Sequence, residues 1–111
     1  MDKFVNYRNI VEKVINEYAA IPYAYGDIES RTMFDRDQDS YMLYSVGWNN
    51  RGRIHGINIH VDIINDKIYI QQDGTEEGIA TDLELAGVPK SDIVLAFHAP
   101  ELRKHTEYAV A

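Results

Sequence analysis

Two aliphatic runs with a spacing of two, Ile57-Asn58-Ile59-His60-Val61-Asp62-Ile63-Ile64 and Lys67-Ile68-Tyr69-Ile70-Gln71-Gln72, meet across the dipeptide Asn65-Asp66. Alternation of this kind suits a strand with one buried face and defeats a helix, whose faces repeat every 3.6 residues. Asn and Asp tolerate positive φ better than most residues, so the dipeptide predicts a two-residue hairpin turn. That turn sets a register: Ile64 opposite Lys67, Ile63 opposite Ile68, Val61 opposite Ile70 and Ile59 opposite Gln72.

The period of two runs from 27 to 72, interrupted by polar clusters at 35–39, 49–52 and 65–66, which describes four antiparallel strands in a meander. Carried through Asn50-Arg51, the same logic sets Val46 against His55, Tyr44 against Ile57 and Met42 against Ile59. These residues form an expected aliphatic face with His55 at its edge. The other face then collects Asn58, His60, Asp62, Tyr69, Gln71 and Asp73, with Tyr41 and Leu43 from the second strand. Met33 belongs there only if the first strand, whose register the 35–39 connection leaves open, points it that way. A mixed aromatic and polar surface of this kind reads as an interface or a shallow site. Tyr41, Leu43 and Tyr69 on one face also make a homodimer reasonable.

Helices flank the meander. Phe4, Tyr7, Val11, Val14, Ile15 and Tyr18 recur at three and four spacing, with Lys3, Arg8, Glu12, Lys13 and Glu17 between them, so the first twenty residues predict a helix that packs on the aliphatic face. Asp2 can cap it, and Pro22 with Gly26 ends it. A second helix is expected from about Glu76 to Ala86. Asp73 and Glu76 would form a capping box, and Gly87, Val88 and Pro89 supply a C-terminal stop. Residues 93–97 read as a buried strand or extended segment, and Pro100 begins a last short helix reaching about His105. The expected fold is α+β: an N-terminal helix packed on a four-stranded antiparallel meander, followed by a helix, a short strand and a short C-terminal helix. With 111 residues, 45% of them hydrophobic, it forms one domain over 1–111.

Charge narrows the function classes. Eighteen Asp and Glu against eleven Lys and Arg give −7, which repels a phosphate backbone, so direct nucleic-acid binding is not expected. The absence of Cys removes disulfides, thiolate metal sites and cysteine nucleophiles. No apolar run approaches the length of a membrane span and the N-terminus lacks a signal-peptide pattern, so no membrane contact and a cytoplasmic location are expected. His60, Asp62 and Asp73 could hold a divalent metal in a small metal-dependent enzyme, but no ligand-spacing signature accompanies them. The plainer reading is a partly exposed His paired with its neighbouring Asp. His98 ties a loop to the backbone, His105 lies on a solvated helix, and no catalytic, cofactor-binding or metal residue is assigned. From 73 to 92 six carboxylates face a single cation, Lys90. Within that run Glu76, Glu77, Asp82 and Glu84 are candidates for docking a basic partner.

These segments carry a resemblance. Tyr18-Ala19-Ala20-Ile21-Pro22-Tyr23, Ser45-Val46-Gly47-Trp48, Arg53-Ile54-His55-Gly56, His60-Val61-Asp62-Ile63-Ile64, Lys67-Ile68-Tyr69-Ile70-Gln71-Gln72-Asp73-Gly74-Thr75-Glu76-Glu77-Gly78-Ile79-Ala80, Ala86-Gly87-Val88-Pro89-Lys90 and Ile93-Val94-Leu95-Ala96-Phe97-His98-Ala99-Pro100-Glu101 resemble the XisI-like family of fdxN element excision controlling factors, along essentially the whole chain. The run from Gln71 to Ala80 is the most specific. The resemblance implies an accessory role in excising a DNA element from a nitrogen-fixation gene during heterocyst differentiation. A separate recombinase cuts and joins the DNA and is reached indirectly, while the XisI-type protein acts with a nuclease-like companion, XisH. It brings no established catalytic residues. A neutralising, antitoxin-like role toward the companion is the alternative.

Overall fold

The computed structural model describes residues 3–111, so the expected cap at Asp2 lies outside the described residues. Helix α1 (Lys3–Ala19) buries Tyr7, Val11, Val14 and Ile15, the stripe that the spacing predicts. The chain then forms β1 (Asp27–Asp35), β2 (Ser40–Asn49), β3 (Gly52–Ile64) and β4 (Lys67–Asp73) in a continuous antiparallel meander. Helix α2 (Ile79–Leu85) leads through a short 3₁₀ turn to β5 (Ile93–Leu95), and α3 (Pro100–Arg103) follows. The expected four-stranded sheet is therefore a five-stranded mixed sheet in the order β1-β2-β3-β4-β5, because β5 joins β4 in parallel with Ile93 beside Ile68. The crossover through α2 allows that direction, which a tight hairpin cannot.

The Asn65-Asp66 turn forms with both residues at positive φ, 50° and 65°, and sets Ile64 against Lys67, Ile63 against Ile68 and Val61 against Ile70. Beyond Val61 the ladder slips. His60 faces Gln72 and Ile59 faces Asp73, which leaves Gln71 as the extra residue of a β-bulge. A second bulge lies between β2 and β3, where Tyr44 still faces Ile57 but Leu43 faces Ile59, so Asn58 is unmatched. Side-chain parity inverts at each bulge.

The inversion settles what faces the helices. Tyr41, Leu43 and Ser45 of β2 point to the core with Ile59, Val61, Ile63, Ile68 and Ile70, and Tyr41 and Leu43 are among the most buried residues. The expectation that they share an outer face with His60 is thus corrected. Met42, Tyr44 and Val46 point away from α1, and so do His55 and Ile57, which are exposed rather than at a core edge. Of the expected pairs, Tyr44 with Ile57 and Val46 with His55 form, whereas Met42 faces His60 instead of Ile59, and Ile59 faces Asp73 instead of Gln72.

Helix α2 starts at Ile79 rather than near Glu76, because Gly78 takes φ 86° and breaks the turn before it. Its end follows the expected stop. Gly87 has φ 107°, its N–H reaches Glu84 O at 3.0 Å, and Val88 N–H reaches Leu83 O at 3.0 Å while the Val88 side chain is buried. This paired pattern satisfies the orphan carbonyls of the last turn. Helix α3 is shorter than expected, ending at Arg103, whose guanidinium donates to His98 O and Ala96 O and holds the 96–103 loop closed. His98 is part of that loop through its backbone, and His105 is exposed.

Two buried-edge clamps tie α1 to the rest. Arg8 donates to both carboxylate oxygens of Asp39 at 2.7 and 3.0 Å, and Tyr41 Oη donates to the same carboxylate at 2.9 Å. Tyr7 Oη donates to Asp92 at 2.5 Å, beside Lys3 Nζ at 2.9 Å. Both carboxyls are held below the usual Asp range. For Asp39 the Arg8 hydrogen bonds are the main cause, while at Asp92 the bonds from Tyr7 and Lys3 outweigh burial, which acts the other way. No described helix is long and apolar enough to cross a membrane.

Candidate functional site

On the helix side, the segment after α1 and the segment after β4 enclose a cleft of about 620 Å³. Tyr18 and Tyr23 form one wall, Leu43 and Asn58 the floor, and residues 74–77 the other wall. Tyr23 is anchored there, since its hydroxyl lies 2.5 Å from the buried Ser45 Oγ. Tyr18 Oη donates to Asp82 at 2.5 Å. That bond, with burial behind it, pushes the Tyr18 phenol up to about 12.

Asp73 builds the second wall. The Gln71 bulge places it on the helix side, where Oδ1 accepts from Thr75 N at 3.0 Å and from Thr75 Oγ1 at 2.6 Å, and Oδ2 accepts from Ile79 N at 2.8 Å. Thr75 Oγ1 in turn accepts from Gly78 N at 3.0 Å. The expected capping box of Asp73 with Glu76 does not form: Gly78 holds the N-cap position, and Asp73 instead accepts from the first helical N–H, that of Ile79, across the 74–78 loop. Gly74 sits on the other bulge: its N–H donates to Asn58 O at 2.8 Å, and an added Cβ would lie 2.0 Å from Asn58 Oδ1. A side chain there would push the Asn58 amide aside. The loop is thus rigidly placed, and it holds Glu76 and Glu77 out at the rim of the cleft, both exposed and neither carrying an ion pair or hydrogen bond among the described residues.

The other acidic candidates are committed elsewhere. Asp82 accepts from Tyr18. Glu84 accepts from Tyr108 Oη at 2.8 Å and lies 3.8 Å from Lys90 Nζ, and burial together with that bond pushes the Tyr108 phenol up to about 12. The acidic surface expected over 73–92 is therefore uneven, with its free charge concentrated at Glu76 and Glu77.

The opposite face of the sheet holds His60, Asp62, Tyr69 and Gln71, as the hairpin register requires. Asp62 is the hub: Ser40 Oγ donates to Oδ1 at 2.7 Å, His60 Nε2 lies 3.1 Å from the same oxygen and 3.2 Å from Ser40 Oγ, and Gln71 donates to Oδ2 at 3.2 Å. This is the paired His and Asp of the plainer reading. Asp73 does not join it, because the bulge turns that carboxylate through the sheet to α2. Among the described residues no three His, Asp or Glu side chains converge as a metal ion would need.

Sequence reasoning missed the apolar part of this face. Met33, Met42, Tyr44, His55, Gly56 and Ile57 line a shallow groove of about 270 Å³. Trp48 stands beyond it with the Arg53 guanidinium 5.3 Å above its ring. A usable signal was present in β1, whose charges Asp27, Glu29, Arg31 and Asp35 share one parity and must face water. Closing the 36–39 loop on Asp35 and Ser40 pairs Arg31 with Tyr44 and Met33 with Met42, which sends Met42 and Tyr44 outward.

A sequence model of the family described as XisI protein matches residues 1–110. Among solved structures, the chain is similar to a XisI-like protein from Anabaena variabilis, at 37% identity and a TM-score of 0.90 over 97% of this chain and 99% of that one. It is also similar to the fdxN element excision controlling factor XisI from Anabaena variabilis, at 33% identity and a TM-score of 0.81 over 99% of this chain and all of that one (100%). None of the curated proteins matches it in sequence.

Proposed function

This chain belongs to the XisI family, and from that premise we propose that it is a non-enzymatic controlling factor for excision of a DNA element, acting by contact with an XisH-like companion. The observation that carries the reading is the full-length similarity to a structure named as an fdxN element excision controlling factor. Its net charge of −7 suits contact with a basic protein and opposes contact with DNA. The companion docks at the tyrosine-walled cleft, where Glu76 and Glu77 meet its basic side chains before the cleft is covered. A recombinase is reached only through that complex, in the cytoplasm.

Co-expression and pull-down with the XisH-like protein tests the reading. A complex is expected at low and moderate salt. Glu76→Lys with Glu77→Lys should slow association by roughly tenfold while leaving the melting temperature unchanged, since both residues are exposed and have no partner among the described residues. Absence of any complex at either salt concentration removes the proposal, and a complex indifferent to the double substitution removes the cleft from it.

A further inference from the structure

We infer that the uncovered face of the sheet seats a second copy of this chain, the two sheets packing face to face about a twofold axis. This inference concerns the side of the sheet opposite the cleft and does not depend on the companion. Helices α1 and α2 occupy one face only, and none of the outward-pointing residues of β1 to β4 is buried. A solvated face of an antiparallel sheet alternates to polar residues. Here the outward positions include Met33, Met42, Tyr44, Trp48, Ile57 and Tyr69, with Met33 53%, Trp48 59% and Ile57 43% exposed. An apolar patch of that extent on a small soluble domain marks a contact surface.

Charge selects the occupant. The outward positions of β1 to β4 carry four carboxylates, Asp27, Glu29, Asp35 and Asp62, against three cations, Arg31, Arg53 and Lys67, so this face holds −1 of the chain's −7. The remainder of the chain carries the other −6, which sets two copies against each other, whereas on this face their charges nearly cancel. A strongly basic partner would find little to bind on the same surface, and a second copy finds its match. The size also fits. Four strands spaced by about 4.8 Å, each with about nine residues rising about 3.3 Å, present roughly 600 Å². Two such faces bury about 1,200 Å², the lower bound of specific interfaces. The groove at Met33, Tyr44 and Ile57 gives the large outward side chains of the opposing copy, Trp48 foremost, a concavity to fill when sheets pack about 10 Å apart.

Sedimentation equilibrium of the full chain over micromolar concentrations reads the result. A dimer is expected, strengthened by added salt because screening relieves the repulsion between the two −7 bodies. Ile57→Glu and Met33→Glu, made separately at exposed positions, should each weaken dimerisation by at least about tenfold while the far-ultraviolet circular dichroism spectrum stays that of the folded chain. Leu85→Glu, 82% exposed on α2 and away from the face, should leave the dimer intact. A chain that stays monomeric throughout, or a dimer untouched by both face substitutions, overturns the inference. So does a monomer whose binding to the companion is what Ile57→Glu abolishes.

Discussion

Replacing Gly47 by Ala tests the closest approach between two strands. Gly47 of β2 faces Ile28 of β1, and an added Cβ would stand 2.1 Å from Asp27 O and 2.7 Å from Ile28 Cα. Both obstacles are backbone, so no side chain can swing aside and β1 must retreat by roughly 1 Å to restore van der Waals separation. Ladder bonds of about 2.9 Å on either side then stretch past the length at which they count. Losing two of them costs about 2 kcal/mol in all. Residual crowding adds about 1 kcal/mol. The sum, about 3 kcal/mol, corresponds to a fall of roughly 12 °C in melting temperature for a domain of this size. Gly56→Ala is the matched control in the neighbouring strand: nothing lies within 4 Å of its added Cβ and its φ is not positive. That variant should be neutral or gain a few tenths of a kcal/mol from the stiffer unfolded chain. Urea and thermal unfolding followed by circular dichroism measure both. A Gly47→Ala protein within about 1 kcal/mol of the parent, or a Gly56→Ala protein equally damaged, refutes the account of β1 pressed against β2.

Asp73→Ala removes an acceptor of three hydrogen bonds that fixes both the 74–78 loop and the start of α2, and should cost about 2 kcal/mol in urea unfolding. Asp73→Asn, which keeps one acceptor oxygen, should cost less. Asp39 and Asp92 have folded pKa values below 3.8, so their contribution is complete above that value and is lost as pH falls through the lowered ones. The urea midpoint should drop on acidification below about pH 4, and Arg8→Met should flatten that dependence by freeing Asp39. Tyr18 and Tyr108 titrate near 12 when folded against 10.0 when unfolded, so their stabilisation is present below 10 and lost as pH climbs toward 12. Phenolate absorbance should show these two tyrosines ionising late, together with alkaline unfolding.

Local signals made the helices, turns and strand boundaries legible. The spacing of Tyr7, Val11, Val14 and Ile15 placed α1, Asn65-Asp66 placed a hairpin turn within one residue, and Gly87-Val88 placed the end of α2. Each is decided by residues a few positions apart. Parity was not legible, because it accumulates along a strand and a single unmatched residue inverts it. The spacing of Ile57, Ile59, Val61 and Ile63 is unbroken, yet the bulge at Asn58 puts Ile57 outside and Ile59 inside. On β2 both parities are apolar, Tyr41 and Leu43 against Met42, Tyr44 and Val46, so no polar residue flagged the error. The parallel partner of β4 was hidden for a related reason: residues 93–95 have the same composition whether they pair or merely fill a core. As a result, the expected outer face was only partly placed. His60, Asp62, Tyr69 and Gln71 lie where the register puts them, while Tyr41, Leu43 and Asp73 lie on the far side of the sheet.

The two bulges are also what create both surfaces. Without the unmatched Asn58, Met42 would face Ile59 on the core side and Tyr41 and Leu43 would take its place on the outer face. Without the unmatched Gln71, Asp73 would point away from α2 and the 74–78 loop would lose its anchor. The bulges meet where Gly74 N–H donates to Asn58 O, so one contact holds the cleft wall on one side and the parity of the strands on the other. It follows that substitutions at Asn58 or Gly74 disturb both surfaces together and cannot assign a function to either. Glu76 and Ile57, each exposed and each on its own side, can. If a Glu76 and Glu77 variant loses the companion but keeps self-association, and an Ile57 variant does the reverse, the sheet is a partition between two independent contacts. If both variants lose both, the surfaces are coupled, and the Asn58 and Gly74 junction between the two bulges is the element to test next.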